Sequence, residues 1–120
     1  MKIQDLIERA DRLRPNTHDE QDKLHWLSVV ESHVVRHINL HEGEEKEERE
    51  FASPEEVPTL TGTDAELYVL YLVMMYDYYN GDYDRYNNGA MQYNAALQDW
   101  RARYRREHRH KDMGRMVNLV

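Results

Sequence analysis

Residues 83–104 read YDRYNNGAMQYNAALQDWRARY, and within them Tyr83, Tyr86, Ala90, Tyr93, Leu97, Trp100 and Tyr104 recur at alternating spacings of three and four. An unbroken 3-4 alternation is the period of one apolar helix face, and three turns of heptad pack at a shallow angle against neighbouring helices. The glycine inside this face, Gly89, costs the helix about 1 kcal/mol against a good helix former unless close packing calls for it. Upstream, residues 63–81 read TDAELYVLYLVMMYDYYNG. Thr63 and Glu66 have the spacing of a capping box, the run after them is apolar nearly all round, and Asn80-Gly81 supplies a left-handed stop. The pattern predicts a helix buried on most sides.

Two more helices precede these. Ile3, Leu6, Ile7, Ala10 and Leu13 share a face of a helix over 3–13, which should stop at Arg14 because Pro15 disfavours helical geometry before it. Thr17 and Glu20 form a second capping-box pair, followed by Leu24, Leu27, Val30, Val34 and Ile38, so a helix is expected over about 18–39. Residues 40–58, LHEGEEKEEREFASPEEVP, interrupt the pattern with eight glutamates and two prolines. Like-charge repulsion and proline argue for a solvated loop, with a short hairpin around Lys46 to Phe51. The expected fold is all-α: a small bundle of about four helices with a long acidic loop between the second and third. Residues 1–108 form one helical domain and 109–120 a tail, flexible when free.

One hundred and twenty residues suit a single core. The absence of cysteine removes disulfides and thiolate chemistry and fits synthesis in a reducing cytoplasm. The charged start MKIQDLIERADRLRP lacks the apolar segment of a signal peptide, and the longest apolar stretch is too short to span a membrane. Charge is polarised: residues 1–100 carry 21 acidic and 9 basic side chains, a net −12, and residues 101–120 a net +5. An acidic body is a poor candidate for coating nucleic acid, although the tail can meet phosphate or an acidic partner.

Few constellations suggest chemistry. His33, His37 and His41 lie four apart, but His33-Val-Val-Arg-His37 lacks the glutamate of a zinc protease, so a solvated or intersubunit ladder is the preferred reading, with no metal and no cofactor. Asp77 interrupts an apolar helix and is read as an ion-pair or capping residue, with Arg85 as its candidate partner. Serines are three and none sits in a nucleophile elbow, and no glycine-rich phosphate loop occurs. No catalytic residue is assigned and the chain is read as a non-enzyme. Aromatic and basic residues of the last helix and tail, namely Tyr83, Tyr86, Tyr93, Trp100, Tyr104, Arg105, Arg106, Arg109 and Lys111, are the candidate subunit or partner interface. Glu42, Glu44, Glu45, Glu47, Glu48 and Glu50 are the candidate acidic loop.

The stretch from Glu66 to His108 resembles the C-terminal half of head–tail connector (adaptor, or neck) proteins of tailed bacteriophages and prophages. The resemblance rests on Asp77-Tyr78-Tyr79, Asn80-Gly81-Asp82-Tyr83 and Arg85-Tyr86-Asn87-Asn88, followed by an aromatic-rich helix. The N-terminal LIERADRLRPNTHDEQDKLHWLSVVE is similar too. The acidic run at 42–56 and Gly89 depart from the family pattern. What the resemblance implies is a virion structural protein, assembled in the host bacterial cytoplasm and located in the neck. It would form a homo-oligomeric ring, commonly twelve-fold, beneath the portal protein. That ring extends the DNA channel and docks other neck or tail-completion proteins, while DNA passes without specific binding. Two readings compete with it: a stand-alone helical protein-binding module acting through its acidic loop or basic tail, and a metal enzyme built on His33 and His37.

Overall fold

The computed structural model describes residues 1–109, and the expectations placed on residues 110–120, Lys111 among them, lie outside these. The described residues form four helices: α1 (Ile3–Leu13), α2 (Glu20–Glu42), α3 (Glu66–Tyr79) and α4 (Tyr83–Glu107), with a 3-10 turn at Gly62–Ala65 before α3. No strand occurs among them, so the hairpin expected around Lys46 is not formed.

Helix α3 lies at the centre and packs on α1, α2 and α4. Its apolar circumference accounts for that position, since Leu67, Tyr68, Val69, Leu72, Met74 and Tyr76 are all buried and no single partner could cover them. The core gathers Ile3, Leu6 and Ala10 of α1, Leu24, Leu27, Val30 and Val34 of α2, and Tyr93, Leu97 and Trp100 of α4 around it. Gly89 of α4 faces Met74, and a Cβ placed there would stand 3.3 Å from the Met74 Cβ. Close approach of α3 and α4 is therefore what the glycine allows. The α3–α4 corner closes as a Schellman motif: Gly81 is left-handed at φ 80°, the Asp82 amide donates to the Asp77 carbonyl at 2.9 Å, and the Gly81 amide to Tyr78 at 3.1 Å. Asp82 then caps α4 by accepting from the Arg85 amide at 3.2 Å.

Both expected capping boxes are displaced. Asp19, not Thr17, sits at the start of α2, because the Asn16 side chain accepts from the His18 amide at 3.1 Å and holds the linker non-helical. The α2 helix runs to Glu42 and stops at left-handed Gly43. Before α3, Thr63 lies within the 3-10 turn and Glu66 pairs with Arg9 at 3.0 Å instead of reaching back to cap. Asp77 pairs with Arg14 at 2.8 Å, not with Arg85, which pairs with Asp82 at 3.3 Å. The end of α1 abuts α3 and supplies the guanidinium, while Arg85 is engaged by Asp82.

The largest departure from expectation is the segment between α2 and the 3-10 turn. Residues 44–61 are irregular; the acidic run 44–50 is exposed, as expected of a solvated loop, but it is tied to α2 and the segment turns inward at Phe51. Phe51 is 3 % exposed, and its amide donates to the Ser28 hydroxyl at 2.8 Å. Arg36 holds Glu48 at 2.9 Å, His25 meets Glu50 at 2.8 Å, and the Asn39 amide group exchanges two hydrogen bonds with the backbone of Lys46. Glu42 lies inside α2, and its carboxylate accepts from Tyr104. Downstream, the carbonyls of Glu56 and Pro54 accept from the Ile3 and Gln4 amides at 2.9 Å, satisfying free donors at the start of α1.

The anchor of this segment is Glu31, a carboxylate with no exposure. It accepts from Arg49 Nε and Nη2 at 3.0 and 2.8 Å, from the Thr59 amide and hydroxyl at 3.2 and 2.7 Å, and from the Tyr68 hydroxyl. A charge so deeply buried is tolerated only when fully hydrogen-bonded, and here five donors converge on it. Burial raises the Tyr68 pKa, and the adjacent Glu31 adds to the rise, so the phenol stays a donor. Replacing Glu31 by alanine strands Arg49, Thr59 and Tyr68, so Glu31→Ala should lose about 3 kcal/mol of stability in urea and thermal denaturation. Exposed Glu45→Ala should stay within about 0.5 kcal/mol of the parent.

Candidate functional site

Helices α2 and α4 run parallel, as their ring contacts show. His33 Nδ1 meets the Tyr93 hydroxyl at 2.8 Å, His37 faces the edges of Trp100 and Tyr104 at ring-centroid distances of 5.3 and 5.6 Å, and His41 faces Tyr104 at 5.4 Å. The histidine ladder thus zips along the aromatic face of α4. At its far end His41 Nε2 lies 2.6 Å from the carbonyl of His108, and the His108 ring stacks on Tyr104 at 3.9 Å. Among the described residues, no group of three or more His, Asp or Glu side chains is placed to hold a metal ion.

Flanking these rings, the two helices border a groove of about 670 Å³, lined by Arg36, His37, Leu40, His41, Gln98, Arg101 and Arg105. No carboxylate lines it. Arg101 and Arg105, one turn apart on α4, make no ion pair or side-chain hydrogen bond among the described residues, and Leu40 is 84 % exposed at the groove's lip. The Nε2 of His37 is enclosed and lacks a hydrogen-bond partner of good geometry. Burial lowers the His37 pKa, and the Arg101 and Arg105 guanidiniums push the same way against a weaker pull from the Arg101 carbonyl. Burial likewise lowers that of His33, helped by Arg101 and Arg36. The Tyr104 phenol is pushed up to about 12 by burial and by its hydrogen bond to Glu42. The arrangement is a cationic cleft with an apolar lip, suited to binding an anionic, partly apolar surface.

The fold divides the residues expected at the interface. Tyr93 and Trp100, each 3 % exposed, belong to the core and cannot meet a partner. Tyr86 is half-buried against Tyr78, with ring centroids 5.0 Å apart, and Tyr104 is half-buried over the histidines. Tyr83 is 61 % exposed, while Arg105, Arg106 and Arg109 face solvent and Arg105 lines the groove. The glutamates named as one loop are dispersed: Glu42, Glu48 and Glu50 are tied to Tyr104, Arg36 and His25, Glu44 to Lys46, and Glu45 and Glu47 are exposed. Arg101, Arg36, Gln98 and Leu40 were not anticipated in sequence. The available signal was that Arg101 and Arg105 share one helical face, but only the parallel pairing with α2 places that face opposite His37. Among the described residues no helix is long and apolar enough to cross a membrane. Comparison with protein-family models, curated proteins and solved structures finds no match for this chain.

The two depressed imidazoles set a pH dependence. Folded His33 and His37 bind protons less readily than in the unfolded chain, whose ordinary value is 6.5. Their contribution to stability is therefore present above 6.5 and lost as pH falls through the folded values. Between about pH 7.5 and about pH 5 the melting temperature should drop further in the parent than in a His33→Asn/His37→Gln variant, as differential scanning calorimetry would measure.

Proposed function

We propose that this chain is a non-catalytic virion structural protein of the head–tail connector type, working as a ring beneath a portal and docking the next neck or tail component. One observation carries the reading: the residues that bear the resemblance to connectors form a closed turn that leaves a cluster of aromatic rings exposed. Tyr78, Tyr79 and Tyr83 are all large exposed apolar surfaces, held by the Schellman turn and the Asp82 cap. Monomeric proteins seldom keep such clustered aromatic surface without a partner. The elongated form, 57 × 31 × 20 Å, suits a wedge packed beside its copies, and an acidic body lets a phosphate backbone pass without being gripped.

The same acidic charge opposes assembly without a template, so the isolated chain should associate weakly and more strongly as salt screens it. Co-expression with the portal protein of a tailed phage encoding this chain, followed by electron microscopy, should reveal an added ring on the portal. A chain that stays monomeric at every salt concentration and never joins the portal would exclude the connector reading. It would favour the stand-alone binding module, for which the cationic groove is the natural docking surface.

A further inference from the structure

The groove and the aromatic corner stand at opposite ends of α4. From Asp84 to Arg101 and Arg105 is 17 to 21 residues of helix, about 26–32 Å at the α-helical rise, so one chain cannot fill its own groove with its own corner. A second copy can. We propose that the cleft of Arg36, His37, Leu40, Arg101 and Arg105 receives the Tyr79–Tyr83–Asp84 corner of a second copy of this chain, in a head-to-tail contact. The inference rests on the connector reading, and it identifies the two faces of the subunit contact.

The two surfaces complement each other in charge and in chemistry. Arg101 and Arg105 have no partner among the described residues, and neither has Asp84, which is exposed one residue into α4. Tyr79 is 59 % exposed, with one ring face stacked on Trp26 at 5.4 Å and the rest of the ring open, and Tyr83 lies beside Tyr78 at a ring-centroid distance of 6.0 Å, so the corner offers aromatic surface next to a carboxylate. Guanidiniums bind both, by ion pairing and over the ring face, and the exposed Leu40 side chain gains an apolar cover. The acidic residues 44–50 fit less well: Glu48 and Glu50 are already paired, Phe51 is turned inward, and nothing apolar accompanies the exposed Glu45 and Glu47. A contact joining one end to the other is heterologous, and repeating it by rotation closes a ring or extends a filament.

Absence of cysteine makes the contact testable on the full chain. Asn87→Cys places a thiol one turn from Tyr83 at the corner, and Gln98→Cys places one in the groove. Mixing the two single-thiol chains with a short bismaleimide should give the mixed dimer at least about tenfold above either homodimer. Arg101→Glu/Arg105→Glu on the Gln98→Cys chain should cut that product by at least about tenfold, and Asp84→Lys on the other chain should recover it. Circular dichroism checks the fold of each variant, and the single Arg101→Gln variant replaces the double one if that unfolds. Equal homo- and heterodimer yields, or yields unmoved by charge reversal, would overturn the contact. The portal experiment separates the two claims: Arg101→Glu/Arg105→Glu rings forming on the portal as the parent does would refute this contact and leave the connector reading standing. Charge-dependent cross-linking by a chain that never joins a portal would uphold the contact and refute that reading.

Discussion

A fully buried carboxylate, Glu31, accepting from Arg49, Thr59 and Tyr68, ties together three parts of the chain that have little else in common. Tyr68 belongs to the central helix, Glu31 to α2, and Arg49 and Thr59 to an irregular segment with a strong excess of negative charge. Left to its own composition that segment would be solvated, since it carries too little apolar surface to offset the entropy of ordering. The buried anion changes the balance by recruiting the segment's arginine, and Arg49 also donates to the Val57 carbonyl at 2.6 Å. Phe51 is then drawn into the core between them. The segment in turn supplies carbonyls to the first amides of α1, so the same anchor positions the N-terminal helix.

From that frame the rest follows by burial. Helix α3 is apolar on most sides, and α1, α2 and α4 cover it up to Asp77, with Gly89 facing Met74 across the α3–α4 contact. The heptad face of α4 is consumed in two ways: its middle, Tyr93 to Trp100, enters the core, and its ends emerge as an exposed tyrosine corner and an arginine cleft. That polarity along a single helix gives the molecule two unlike ends, which is the geometry a ring subunit needs. The histidines fill the seam between α2 and α4 as aromatic bodies with polar tips, and burial lowers the pKa of His33 and His37 there.

Much of the fold was legible in sequence. The heptad of α4, the all-round apolar α3, the proline stop after α1 and the Asn80-Gly81 turn each rest on local chemistry that tertiary contacts reinforce. What escaped was long-range. Glu31 continues the series Leu24, Leu27, Val34, Ile38 at three- and four-residue spacing, so its inward direction was readable, but its donors lie 18 to 37 residues away. Without them, a glutamate on an apolar face looks like noise, and nothing in the exposed run at 44–50 announces the inward turn at Phe51. Arg14 as the partner of Asp77 was hidden for the same reason, because only the packing of α1 on α3 brings them together. Of the residues expected at an interface, Tyr83 and Arg105 are exposed while Tyr93 and Trp100 are buried, because aromatic spacing alone cannot distinguish core from surface.

The buried anion holds the later part of the acidic segment, from Arg49 to Leu60, in the folded domain. Amide hydrogen exchange of the isolated protein measures this directly, residue by residue. Slow exchange is expected at Phe51, Thr59 and Leu60, whose amides donate to Ser28, Glu31 and Tyr68, with fast exchange at exposed Glu45 and Glu47 between α2 and those anchors. Uniformly fast exchange across residues 44–60, in a protein whose α2 and α3 amides are protected, would contradict it.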